Sequence, residues 1–295
     1  MKYITIVNPH GGKKLGLKIL YKIKPIFEKA NIELLIIETT FKGHAYEIAN
    51  QLNLTQYDGL IGIGGDGTLH EIANGMFART DGITIPIGMI PAGSGNSYMH
   101  DLKLIDPIKA TNTIIEGKTK KVDIIKFKVN HITKYAMNLI GWGLVTDVGN
   151  MAEKFRWLGP SRYTILSIFE VLRYKSRSAN LIIDGEKIKG DFTFIIACNS
   201  IHVGKGMKMA PKAKLDDGLL DLIIIKSGAS RLRLLKVLPL LFTGEHINEP
   251  EVEYIQASNF SLLPQKDEIL NIDGEILGKT PIEVNVLRKA LEIFS

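Results

Sequence analysis

The residues of this chain best equipped for chemistry are acids set among glycines. Gly64-Gly65-Asp66-Gly67-Thr68 follows the apolar run Leu60-Ile61-Gly62-Ile63. Three glycines around one carboxylate let the backbone turn sharply and approach a ligand closely. A helix read from near Thr68 would turn its free N–H groups and its dipole toward a phosphate. The plain alternative is a strand-to-helix turn, which needs fewer glycines. Two further loops share this character: Pro91-Ala92-Gly93-Ser94-Gly95-Asn96-Ser97 and Asn8-Pro9-His10-Gly11-Gly12-Lys13-Lys14. Each alone reads equally well as a turn, but together they would place small residues, hydroxyls and amides on one rim. Neither a GxxxxGK[ST] loop nor a GxGxxG after the first strand is present. A second acidic candidate is Asp273-Gly274-Glu275, which could bind Mg²⁺ or accept a proton. The same tripeptide recurs at Asp184-Gly185-Glu186, where it reads as a hairpin turn, and that alternative stays open for both.

These loops need strand ends to carry them. Residues 3–7 form a short β-rich run that stops at Asn8-Pro9, and a helical pattern follows over 15–30. Strands are expected at 32–38, 59–63 and 85–90, with helical spacing over 44–54 and 68–77. Such alternation means a mostly parallel sheet covered by helices, with ligands at the carboxyl ends of its strands. The character changes near Lys121. β-rich runs then dominate, at 122–129, 134–139, 180–183, 191–198, 220–225, 259–263 and 282–287. Only 163–174 and 232–243 read as helices there. The expectation is an α/β domain over 1–121 and a strand-rich, sandwich-like or barrel-like domain over 122–280. No internal repeat or low-complexity segment appears.

A chain of 295 residues is long enough for two cores without staples. Its lone Cys198 forms no internal disulfide, fits an apolar strand as core, and suits a reducing compartment. No secretory signal is read at the N-terminus, and the longest apolar stretches are too short to span a bilayer. The net charge of +6 suits nucleotide phosphate or anionic headgroups. No basic stripe interleaved with aromatics is present, so no nucleic-acid partner is expected. The seven histidines show no metal-binding spacing. The stretch 232–242 reads as a packing helix, or as one that lines a lipid path or touches a membrane.

The ordered set of motifs resembles the diacylglycerol kinase catalytic-domain family, which includes bacterial lipid kinases, sphingosine kinases and ceramide kinases. The matching residues are Asn8-Pro9 with Gly11-Gly12, Thr39 with Gly43-His44-Ala45, and Gly64 through Glu71 with Asn74-Gly75. They continue with Pro91 through Asn96, Gly141-Trp142-Gly143 with Asp147, and Leu158-Gly159 with Arg162-Tyr163. Pro211, Asp217-Gly218-Leu219-Leu220-Asp221 and Asp273-Gly274-Glu275 complete the series. The GGDGT piece is shared with NAD kinases and phosphofructokinases, whereas the full set is specific.

The resemblance implies an α/β nucleotide domain followed by a β-sandwich-like domain. The last segment, from about 281 to 295, would return to the first. It implies that Asn8, Pro9, His10, Gly11, Gly12, Thr39, Gly64, Gly65, Asp66, Gly67, Thr68, Leu69, His70, Glu71, Gly93, Ser94 and Asn96 line an ATP site. Asp66 would position Mg²⁺–ATP or act as base, and Glu275, with Asp273 beside it, is the other proton acceptor. Arg156 and Arg162 would contact phosphate. Lys214, Asp217 and Leu219 match a structural Mg²⁺ site, with a plain turn as the alternative.

The pattern departs at two places. Many bacterial members carry Asp where Ser97 stands, and sphingosine kinases place an Asp at the position of Gly149 to hold the substrate amine. The expected function is ATP- and Mg²⁺-dependent phosphorylation of a membrane-lipid hydroxyl, on diacylglycerol, another neutral alcohol or a long-chain base. The expected setting is cytoplasmic, with transient contact at the inner membrane face, and homodimerisation stays open. A soluble-substrate kinase of the NAD-kinase type and a non-catalytic nucleotide or lipid sensor are the alternatives.

Overall fold

Tyr3 to Val7 is an apolar run broken only by Thr5, and it forms β1 (Lys2–Val7), buried from Tyr3 onward. Such runs belong to strands covered on both faces. In a computed structural model spanning 1–295, the described residues are all but 13, 156–161 and 205, and the side chains at 153 and 162–164 also lie outside the description. Contacts divide the chain into two units. The first is Met1–Ile124 with Gly204–Gly206 and Arg288–Ser295, and the second is Ile125–Val203 with Met207–Leu287. The sequence places the change at 121 and the return at about 281, whereas the contacts place them at 124 and 288.

In the first unit β2 (Glu33–Glu38), β3 (Gly59–Gly64) and β4 (Ile87–Pro91) join β1 in parallel, in the order β2–β1–β3–β4. Five helices accompany them: α1 (Gly16–Lys29), α2 (His44–Gln51), α3 (Asp66–Phe77), α4 (Ser97–Asp101) and α5 (Pro107–Glu116). α1 packs on α5, and α2 packs on α3. Gly75 makes the second packing possible, because a Cβ there would stand 2.4 Å from the Tyr46 carbonyl oxygen. β5 (Thr119–Val129) then leads out of this unit.

The second unit is built from antiparallel strands, β6 (Ile132–Ala136), β7 (Leu139–Gly143), β8 (Arg177–Ile183), β9 (Glu186–Cys198) and the short β10 (His202–Val203) and β11 (Met207–Lys208). β12 (Leu220–Lys226), β13 (Val252–Ala257), β14 (Asn259–Pro264), β15 (Ile269–Ile272) and β16 (Glu275–Lys279) follow, and β17 (Ile282–Phe294) pairs antiparallel with β14 before its last residues, in the first unit, run parallel to β4. β9 is the organiser, since it pairs with β8 through its first half and with β7 and β12 through its second. Alternation along it separates two cores. Ile195 and Ala197 join a core drawn from the strands, with Trp142, Leu222, Ile224, Phe260 and Ile272. Phe194, Ile196 and Cys198 face the opposite way. There they meet α6 (Leu144–Lys154), α7 (Arg162–Arg173) and α8 (Arg231–Val237) through Leu144, Val171 and Leu234. Cys198 is buried, as its apolar strand implies.

Three expectations are corrected. The run 134–139 is not one strand, because the amides of residues 137–139 turn onto the Asp273 carboxylate between β6 and β7. Residues 144–154, not read as helical, form α6. The helix expected over 232–243 stops at Val237 and gives way to a 3₁₀ turn, Leu238–Leu241, where Pro239 has no N–H to continue the α ladder.

Candidate active site

The three glycine loops of the first unit leave the carboxyl ends of β1, β3 and β4, and the structure brings them into contact. The Asn8 amide donates to the Ile63 carbonyl (2.9 Å), and the Ala92 amide to that of Gly64 (2.8 Å). The Asn8 side chain donates to the Thr68 hydroxyl (3.3 Å), and its own oxygen accepts from the His10 amide (3.1 Å). A Cβ on Gly93 would lie 2.5 Å from the Gly65 Cα, so neither position tolerates a side chain without parting the loops. Gly12, at φ +54°, brings its backbone against Gly93 and Ser94. Asn96 closes the third loop on itself: its side chain accepts from the Gly93 amide (3.0 Å) and donates to the Gly93 carbonyl (3.1 Å).

Asp66 opens α3 and sits at the centre of this cluster. Its two carboxylate oxygens accept from the Ser97 amide (3.0 Å) and the Tyr98 amide (3.2 Å). The acid is therefore fixed relative to the third loop. Gly95 lies against it, 3.1 Å from Oδ2 to a hypothetical Cβ. Thr39 is buried beyond β2, its amide on the Val7 carbonyl (2.8 Å). Glu71 accepts from the Gly43 and Ala45 amides (2.9 and 3.2 Å) and so caps the start of α2. Leu69, at 2% exposure, packs its side chain into the core. His70 stays half-buried beside Asn74. Pro9, Gly11, Gly64 and Gly67 complete the described loop positions.

In the second unit the two Asp-Gly-Glu tripeptides both form turns with two successive positive φ values, 46° and 91° at Asp184-Gly185 and 52° and 88° at Asp273-Gly274. That is the twist a two-residue hairpin needs. Their acids differ completely. Asp184 is exposed and accepts from Ser258 and Asn259. Asp273 is buried and accepts from the amides of Met137 (2.8 Å), Asn138 (2.8 Å) and Leu139 (3.0 Å). A carboxylate that accepts three amides holds a turn in place, two residues before Glu275. Glu275 begins β16, opposite Ile272, and is half-buried.

One cluster joins Asp147, a motif residue, to two residues that carry no sequence signal, Arg177 and Glu268. Arg177 on β8 donates from Nη2 to both oxygens of Asp147 on α6 (2.9 and 2.7 Å) and pairs through Nε with Glu268 (2.5 Å). Burial pushes the Glu268 carboxyl up, against the pull of the Arg177 charge. Near it, a Cβ on Gly149 would lie 2.8 Å from Asn271 Nδ2, so a larger residue in α6 would turn the Asn271 amide aside. Arg177 and Glu268 lie 30 and 121 positions from Asp147, a pairing invisible along the chain.

Asp217 accepts from the Leu219 amide (3.0 Å), the turn expected around Lys214, Asp217 and Leu219. Asp221 is fully buried behind it, with one oxygen on Tyr254 (2.6 Å) and Gln256 (3.0 Å) and its Oδ2 without a partner among the described residues. Burial pushes the Asp221 carboxyl up, and the Tyr254 phenol likewise. Arg156 lies outside the described residues, and Arg162 begins α7 with its side chain also outside them.

Two family models match the chain. The diacylglycerol kinase catalytic domain matches residues 2–127, and the YegS C-terminal NAD kinase beta sandwich-like domain matches 138–295. Sphingosine kinase 1 of Arabidopsis thaliana is 31% identical, covering 98% of this chain and 71% of that protein. The diacylglycerol kinase of Bacillus subtilis is 30% identical, covering 96% and 93%. The crystal structure of a diacylglycerol kinase from Bacillus anthracis has the same fold, with a TM-score of 0.80 at 24% identity over 99% of this chain and 96% of that one. An NAD kinase from Archaeoglobus fulgidus, solved with ATP, shares the fold more distantly, with a TM-score of 0.52 at 12% identity over 100% and 94%. Lipid kinases matched along nearly the whole chain disfavour a soluble-substrate kinase. Joined with the glycine-loop cluster around Asp66, these likenesses show that the chain belongs to the diacylglycerol kinase catalytic-domain family and is an ATP-dependent lipid kinase.

Proposed function

We propose that the acceptor is a neutral lipid alcohol of the diacylglycerol type rather than a long-chain base. The observation that carries this reading is the Asp147–Arg177 pair. A sphingoid substrate presents an ammonium, which needs a carboxylate facing it. Both oxygens of Asp147 are committed to Arg177, and Gly149 supplies no acid. A hydroxyl acceptor asks for no such counter-charge.

In this reading the loops around Gly12, Gly65 and Gly93 hold the phosphates of ATP through backbone N–H groups, since only glycine lets the three approach so closely. Asp66, fixed by the Ser97 and Tyr98 amides, positions the nucleotide and its Mg²⁺. Glu275 accepts the hydroxyl proton. Phosphoryl transfer is mostly alignment and charge stabilisation, so rigid placement of these groups is the main requirement. A second Mg²⁺ suits the turn at Asp217. The Asp217 carboxylate would hold the ion with the carbonyls of Lys214 and Leu219, an all-oxygen set suited to a hard cation, and the unpartnered buried oxygen of Asp221 supports that reading. Bound there, the ion would supply positive charge beside two acids. Among the described residues no helix is long and apolar enough to cross a membrane. A lipid acceptor places the enzyme, in this reading, as a peripheral protein at the inner membrane face.

The test presents diacylglycerol and sphingosine side by side with γ-labelled ATP and Mg²⁺. Label is expected in chloroform-extractable phosphatidic acid. Label in the phosphorylated base alone would overturn the substrate reading. Asp66→Asn should abolish transfer, and an unchanged rate would remove Asp66 from the site.

A further inference from the structure

α7 shows apolar side chains on two opposite faces. Leu166 and Val171 are buried, at 6% and 1% exposure. Ile165, Ile168, Phe169 and Leu172 are 49%, 43%, 42% and 49% exposed. The spacing i, i+3, i+4, i+7 gathers these four on one stripe of the helix, turned away from the core. Scattered exposed apolar residues need no explanation, but a contiguous stripe of four large ones does. The stripe is rimmed by cations. The Arg173 guanidinium lies 5.0 Å over the Phe169 ring, and Arg231 lies 6.0 Å over that of Tyr174. The second contact brings the first turn of α8 to the end of α7, where Leu232 is 73% exposed. Lys175 is exposed in the same segment, and the one acid of α7 after Arg162 is the half-buried Glu170.

We propose that this stripe of α7, with Leu232, is the surface by which the kinase docks on an anionic bilayer, lying in the interface rather than crossing it. The inference deepens the membrane contact proposed above and rests on it. Three observations select this occupant. The substrate of a lipid kinase resides in a membrane, yet no described helix can span one. A 12-residue helix is too short to cross but long enough to lie in the headgroup layer. The cationic rim complements anionic headgroups, and the whole chain carries +6. Arginine over an aromatic ring keeps its charge at the polar level while the ring turns toward the acyl chains.

Sedimentation with vesicles of phosphatidylcholine and phosphatidylglycerol reads docking without any substrate, so failure of the acceptor assignment would not mimic failure here. The full-length chain should sediment with them, and more weakly with phosphatidylcholine alone. Ile168→Glu with Phe169→Glu should lower partitioning by about tenfold or more, because two apolar side chains are replaced by charges that anionic headgroups repel. The same variant should phosphorylate a short-chain acceptor dispersed as monomers at the parent rate. Unchanged sedimentation would overturn the proposal. So would a shift in oligomeric state with vesicle binding intact, which would assign the stripe to a second copy of the chain. If the double variant melts early, Phe169→Trp decides: the emission it adds over the parent's Trp142 and Trp157 should shift to the blue on adding anionic vesicles, and no shift in that difference refutes docking through α7.

Discussion

Replacing Asp273 with asparagine separates a structural carboxylate from a reacting one. The acid accepts three buried backbone amides, one on Oδ2 and two on Oδ1. Asparagine is nearly the same shape and tolerates the φ of +52° found there. Its best placement keeps the oxygen toward Asn138 and Leu139 and turns its NH₂ toward the Met137 amide. That orphans one buried donor, at a cost of about 1–3 kcal/mol, and removes the charge from two retained bonds, at about 1 kcal/mol each. The expected loss is about 3–5 kcal/mol. Alanine would orphan three donors, about 3–9 kcal/mol, and add about 1–2 kcal/mol for a left-handed residue with a Cβ. That rivals the whole stability of an ordinary domain, about 5–15 kcal/mol, so Asp273→Ala should not accumulate folded. Urea unfolding followed by tryptophan fluorescence reads the effect, since Trp142 is buried in the same unit. If Asp273→Asn kept its stability within about 1 kcal/mol and lost lipid phosphorylation, the carboxylate would belong to the reaction and the clamp argument would fail.

Gly93→Ala places a methyl 2.5 Å from the Gly65 Cα, so the two loops must part. A displacement of that kind should lower kcat/KM for ATP by about 100-fold with the fold intact by circular dichroism, and a parent-like value would deny that these loops hold the nucleotide together. Arg177→Met strips the counter-charge from Asp147 and Glu268 and should cost about 2–3 kcal/mol after allowance for its partial exposure. Adding Asp147→Leu should recover part of that loss in urea unfolding, and strict additivity would mean the pair is not coupled. His246 is buried, with Nε2 donating to the Met209 carbonyl (3.0 Å), and burial holds its pKa below 6.5. A depressed folded-state pKa means the unfolded chain takes the proton first, so stability present above 6.5 is lost as the pH falls below it. His246→Gln should flatten the melting temperature over that acid range, and an equally steep variant profile would exonerate the histidine.

Much of the fold is legible along the chain because its signals are local. Apolar runs followed by glycine-bearing loops mark β1, β3 and β4, and those loops together announce a phosphate-binding rim, since glycine lets backbone approach a ligand closely. The strand-rich second half follows from its β-branched runs. Local pattern fails where a distant partner intervenes. The run 134–139 reads as one strand until Asp273, more than 130 positions away, takes its amides and breaks it in two. Asp184-Gly185-Glu186 and Asp273-Gly274-Glu275 are identical in sequence and alike in φ, because a two-residue turn is decided by its own residues. One acid is exposed and the other buried on three amides, because burial is decided by what packs around the turn. Sequence by itself determined the family, the strand ends and the acids worth suspecting. Only the tertiary structure decided which acids are already spent on backbone amides or on Arg177, since a hydrogen bond depends on where two groups meet in space and not on how far apart they lie along the chain.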